Sequence, residues 1–128
     1  DFAAPGADMI AAAPSAVVGS IGCVLAFYDQ SKFYDQMGFK VDVFRSGDLK
    51  AAGFPGTTLS DAERAHFQAA VDEVAGDFQA TVLEFRSTLD LGLFDGRTVT
   101  GKMAETLGLT DGVYITRDEA IADFLAAF

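Results

Sequence analysis

Four lysines, one histidine, one cysteine and a scatter of serines are the residues of this 128-residue chain most suited to acid–base or nucleophilic chemistry. An amine acts as a general base near neutral pH only when uncharged, so burial or a local field must lower its pKa several units from about 10.4. Lys50, preceded by Leu49 and followed by Ala51, Ala52 and Gly53, has a drier sequence neighbourhood than Lys32, Lys40 and Lys102, which sit among polar residues. On the residues alone, Lys50 still reads first as a surface lysine. Ser46 stands four positions before Lys50 and would meet it on a helix, but Gly47 and the strand-like residues before it make this a loop, where that spacing brings nothing together. His66 has no carboxylate and nucleophile beside it in sequence and reads as a surface or packing residue. Cys23 lies in the apolar run Ile21 to Phe27 and reads as a small buried hydrophobe. A single cysteine leaves no internal disulfide, and with one histidine it falls short of a zinc ligand set.

The elements that must position these residues follow from hydrophobic period and punctuation. Residues 1 to 14, alanine-rich with Pro5, Gly6 and Pro14, read as the ragged end of a helix and then a short extended piece at Met9-Ile10. Ala16 to Tyr28 is β-rich and apolar on both faces, the pattern of a buried parallel strand, with Gly19 and Gly22 permitting a tight bend or close backbone approach before it. Ser31 to Met37 predicts a short helix ended by Gly38. Phe39 to Arg45 alternates and predicts a second strand, so that strand, helix and strand would form a right-handed crossover. Ser60 and Glu63 form a capping box ahead of Phe67, Val71, Val74, Phe78, Val82 and Phe85, whose spacing predicts one long amphipathic helix. Its other face carries Asp72, Glu73, Asp77 and Glu84 and should be solvated. Arg97 to Thr100 predicts a short strand, followed by a brief helix through Leu107 that Gly108 ends. A last helix starts at Thr116 with a capping box to Glu119. The class is α/β, and residues 1–128 read as a single domain, since no repeat, linker or charge block divides them.

Nine basic and nineteen acidic residues give a net charge of −10, which suits neither a phosphate-binding surface nor an anionic membrane and argues against nucleic acid as a partner. No apolar stretch approaches the roughly 20 residues of a membrane-spanning helix, and the first residues lack the charged and then hydrophobic regions of a secretory signal. The compartment stays open. The chain begins at Asp1, so a processed product or a piece of a longer chain is expected.

Three segments, in order, carry a resemblance. They are Pro14-Ser15-Ala16-Val17-Val18-Gly19-Ser20-Ile21-Gly22, then Arg45-Ser46-Gly47-Asp48-Leu49-Lys50, then Gly96-Arg97-Thr98-Val99-Thr100-Gly101 with Ala104, Gly108, Leu109 and Asp111. Each alone is a weak signal; together, over nearly all of residues 7 to 125, the chain resembles the signal peptide peptidase A family of serine/lysine peptidases and its phage relatives. The resemblance implies the C-terminal part of a crotonase/ClpP-like fold. It implies Lys50 as general base and Ser20 as the hydroxyl that positions its amine, with Gly19, Ser46 and Gly47 as supporting loop residues. On its own residues Ser20 also reads as a turn serine between two glycines. The family's nucleophilic serine and oxyanion-hole amides would fall before Asp1, so the resemblance implies that this chain supplies the base and not the nucleophile, and that the chain alone is inactive.

No cofactor and no metal are implied. The implied partners are a peptide or protein substrate held in extended form, further copies in a ring-like homo-oligomer, and an upstream serine-bearing polypeptide. In the phage branch such enzymes process head or scaffold proteins; in the cellular branch they cleave remnant signal peptides. A second reading is a noncatalytic structural or scaffolding module of an oligomeric assembly. A third, acyl-CoA chemistry on the crotonase fold, lacks a matching acidic segment.

Overall fold

The computed structural model describes residues 4–127, which fall into two compact units. The first unit takes the described residues up to Cys23 and from Val74 onward; the second is Val24–Glu73.

Two small ladders organise the first unit. Strand β1 (Ala11–Ala12) pairs in parallel with β4 (Gly112–Val113), Ala11 opposite Gly112. The pairing extends at both ends, with the Asp111 amide donating to the Ile10 carbonyl at 2.8 Å and the Tyr114 amide to the Ala12 carbonyl at 3.0 Å. Strand β2 (Val17–Gly19) pairs antiparallel with β3 (Thr98–Thr100), Val18 opposite Val99. Helix α3 (Gly101–Thr106) follows β3 at once because Thr100 is its N-cap, its hydroxyl accepting from the Met103 amide at 3.4 Å. Gly101 is buried against the Ala13 carbonyl, where a Cβ has no room. Ile21, Phe78, Val82, Leu89, Leu93, Ala104 and Leu109 make the core. Phe78 and Val82 come from helix α2 (Asp61–Phe85), which crosses the boundary between the units at Glu73 and Val74. Helix α4 (Arg117–Ala126) opens on Thr116 with the capping box to Glu119 complete, and the Tyr114 hydroxyl donates to Asp123 on its outer turns.

In the second unit, helix α1 (Ser31–Gln36) ends as the punctuation requires, with Gly38 in the left-handed region. The Phe39 amide then folds back to the Tyr34 carbonyl at 2.9 Å. Phe33, Tyr34 and Phe39 follow one another ring to ring at 6.2 Å, and Phe27 packs on Phe67 at 4.6 Å. Ser60 caps α2 as expected: the Ser60 amide donates to Glu63 at 2.7 Å, and the Glu63 amide donates to the Ser60 hydroxyl at 3.3 Å. Arg45 adds an ion pair to Glu63 at 3.0 Å.

The long helix, the Thr98–Thr100 strand with its short helix, and the last helix all lie where their patterns put them. Asp72, Glu73, Asp77 and Glu84 are exposed as expected. Two strands differ. The Ala16–Tyr28 run forms a strand only over Val17–Gly19, and that strand is antiparallel; Phe39–Arg45 forms none, so the crossover between them is absent among the described residues. An apolar segment becomes a strand only with a ladder partner at its edge and cover on its faces. Beyond Gly19 no described strand pairs with the first segment, and none pairs with the second. Cys23, expected to be buried, is exposed for the same reason, and so are Val24 and Tyr28, each at 86%.

Candidate functional site

The Gly-Ser-Ile-Gly turn ends the β2–β3 ladder. Gly19 has φ 117°, and a Cβ on it would stand 2.6 Å from the Arg97 carbonyl oxygen, so both backbone conformation and space select glycine. That same carbonyl accepts from the Ser20 amide at 2.8 Å. Ser20 itself is held at φ 55°, uncommon for a residue with a side chain, and is exposed. Its partner segment is braced by Asp95, whose carboxylate takes the Arg97 guanidinium in a fork with contacts from 2.6 to 3.0 Å. Those bonds hold the Asp95 carboxyl down to about 2.

Beside Ser20 opens a cavity of about 500 Å³ within the first unit. Its walls are mostly apolar, including Ile10, Ala12, Val18, Ile21, Phe78 and Val82, with Ser20, Arg86, Thr98 and Thr110 the polar exceptions. Arg86 grips Asp111 through two bonds of 2.5 Å, and the second carboxylate oxygen also accepts from the Ile10 amide at 2.7 Å. The guanidinium beside it therefore keeps the Asp111 carboxyl below its ordinary value, with the Ile10 amide adding to the effect. Arg86 Nε and Thr110 Oγ1 are buried without a hydrogen-bond partner among the described residues.

Lys50 belongs to the second unit. Ser46 and Gly47 lead into a run of tight turns in which the Lys50 amide donates to the Gly47 carbonyl at 3.0 Å, Ala51 is held at φ 64°, and the Phe54 amide returns to the Ala51 carbonyl at 3.0 Å. Ser46, Gly47 and Lys50 thus share one loop, as the glycine required, and not a helix. All three are exposed. The dry neighbourhood expected of Lys50 is not formed, because Leu49 beside it is itself 43% exposed and the turn presents both to solvent. Ser20 and Gly19 lie in the first unit.

His66 is exposed on α2, its ring 5.5 Å from that of Phe67. Among the described residues no group of three or more His, Cys, Asp or Glu side chains could hold a metal ion, and no helix is long and apolar enough to cross a membrane. Two features escaped the sequence reading. The Arg86–Asp111 clasp joins residues 25 apart, and only the acidic residue after the buried Leu109-Thr110 pair hinted at it. The parallel strand at Gly112–Val113 is too short to leave a pattern.

The sequence matches the profile of peptidase family S49 over residues 2–125. A Methanocaldococcus jannaschii protein named "Putative protease" is 29% identical over 115 residues, covering 88% of this chain and 37% of that protein. A Synechocystis protein of the same name is 30% identical over 113 residues, covering 86% of this chain and 41% of that protein. The chain therefore spans about two fifths of the length of these relatives. By the match along nearly its whole length, the chain belongs to peptidase family S49.

Proposed function

We propose that this chain is the base-bearing part of a signal peptide peptidase A-type serine endopeptidase with a crotonase/ClpP-like fold, acting on peptides in extended form. The observation that carries the reading is the family match across residues 2–125, which takes in all three of the motif segments. Lys50 is the general base and Ser20 the residue that positions its amine; Gly19 fixes the turn that carries Ser20, and Ser46 and Gly47 shape the loop that carries Lys50. A serine outside this chain attacks the scissile carbonyl as its hydroxyl proton passes to the Lys50 amine. The C–N bond then breaks as that proton passes to the leaving amine, and water hydrolyses the acyl-enzyme, with Lys50 again taking the proton. Peptide substrate, homo-oligomer and serine-bearing polypeptide are the partners of this reading.

Its physical requirement is desolvation of Lys50, since a charged ammonium cannot accept the proton. The exposed position of Lys50 favours a second reading, a structural or scaffolding module of an oligomeric, phage-head-like assembly. One experiment separates them: Lys50→Ala in this chain joined to the serine-bearing part of an S49 peptidase, assayed on a fluorogenic peptide. The peptidase reading expects turnover to vanish while circular dichroism is unchanged. Ser20→Ala should reduce turnover less, because it removes only a hydroxyl that positions the amine. Retained turnover in Lys50→Ala would remove the base assignment, and unchanged assembly as well would leave the module reading standing.

A further inference from the structure

The cavity of the first unit contains polar groups that the peptidase reading leaves unused. Of the polar residues on its wall, Ser20 and Thr98 are exposed and reach solvent, whereas Thr110 is 4% exposed and the Arg86 side chain 15%. Arg86 gives its two terminal nitrogens to Asp111, the residue after Thr110, so Arg86 and Thr110 belong to one neighbourhood of the wall. Arg86 Nε and Thr110 Oγ1 are the two buried polar atoms there without a partner among the described residues. Buried polar atoms are almost always hydrogen-bonded, so two orphans on one cavity mark where an incoming group would bond.

What is already in the wall limits the chemistry of that group. The Arg86 guanidinium is neutralised by the Asp111 carboxylate, so an anionic head would bring an unpaired negative charge beside Asp111 in an apolar enclosure. An uncharged head carries no such cost. Arg86 Nε–H can only donate, whereas the Thr110 hydroxyl can also accept. An amide satisfies both, its carbonyl accepting from Nε–H and its N–H donating to Oγ1. The rest of the wall, with Ile21, Phe78 and Val82 among it, calls for an apolar body, and about 500 Å³ is the size of a small-molecule site. An extended peptide fits less well, because its amides recur on both sides along the chain and each needs a partner. We infer that this cavity binds an aliphatic primary amide, its head on Arg86 Nε and Thr110 Oγ1 and its chain against the apolar wall.

The test reads binding and not cleavage, so it stands whether or not Lys50 is a base. Isothermal titration calorimetry of the 128-residue chain with octanamide should show saturable binding of one equivalent. Octanoate, of the same length with a charged head, should bind about tenfold more weakly or not at all. Thr110→Val, which exchanges the hydroxyl for a methyl group, should weaken octanamide about five- to tenfold while circular dichroism is unchanged. Ala16→Leu adds bulk at the cavity wall by a separate route and should also weaken it. Ile115→Asp, at an exposed apolar position that does not line the cavity, should leave the affinity unchanged. Absence of saturable binding up to the solubility limit of octanamide overturns the inference, since solvent alone then serves the two polar atoms. Octanoate binding as tightly as octanamide overturns it too, as does an affinity indifferent to both Thr110→Val and Ala16→Leu. Tighter binding of the blocked dipeptide acetyl-Leu-Leu-amide than of octanamide would overturn it in favour of a peptide subsite.

Discussion

The two units are built on opposite principles. The first closes an apolar core beneath two short ladders and a charged clasp. The second is held by a capping box, a run of turns, a few tilted and edge-on ring contacts and the Arg45–Glu63 pair. Yet each carries part of the proposed catalytic apparatus, Ser20 at the exposed end of the β2–β3 ladder and Lys50 on the turns. The lesson is that a rigid backbone feature and an adaptable side chain have been assigned to different kinds of architecture. The Ser20 backbone is tied to the Arg97 carbonyl at the end of a ladder, whereas Lys50 is held only by the turn it belongs to.

That contrast can be broken most severely in the core. Phe78→Ala should cost about 3–5 kcal/mol of unfolding free energy in urea titrations, while Phe33→Ala, on the exposed α1 surface, should stay within about 0.5 kcal/mol. A comparable loss at Phe33 would mean that the second unit has a core after all. Gly101→Ala comes next, at about 1–3 kcal/mol, because the new methyl must push the Ala13 carbonyl away from the start of α3.

Asp111→Asn should cost about 1–2 kcal/mol, since the Arg86 fork is lost while one oxygen remains for the Ile10 amide. The same substitution sharpens the pH behaviour. The folded-state pKa of Asp111 lies below its ordinary value of 3.8, so its contribution is present above that value and is lost as pH falls through the lower, folded one. Melting temperature should therefore drop on acidification below about pH 4, and Asp111→Asn should flatten that drop. A slope unchanged by the substitution would assign the acid sensitivity elsewhere. The smallest effect belongs to the second unit: Ser60→Ala should cost about 1 kcal/mol or less, visible as fraying of the first turn of α2 in amide exchange.

Wherever a segment carries its own instructions, the sequence reading and the structure coincide. The Ser60–Glu63 and Thr116–Glu119 boxes, the glycines after α1 and α3, and the three-and-four spacing of α2 are all local signals, and each element stands where its signal lies. Ala16–Tyr28 and Phe39–Arg45 fail because a strand is a relation between segments. Their composition states a willingness to pair and cannot name a partner. The loop character of Ser46–Lys50 was legible from Gly47, but the solvation of Lys50 was not, because burial depends on what packs above a loop and not on the apolar letters beside it.

The clasp at Asp111 also sets an order of events. Ile10 and Asp111 are separated by 101 positions, so neither the β1–β4 pairing nor the salt bridge that secures it can exist until synthesis has reached Asp111 and the residues after it. Contacts of such separation close late, after the local helices have formed, and they slow the search for the native state. At synthesis rates of roughly 5–20 residues per second, Ile10 waits on the order of 5–20 s for its partner. The first unit is in this sense finished from its two ends, and the interval before they meet is when the chain is most open to being held by something else.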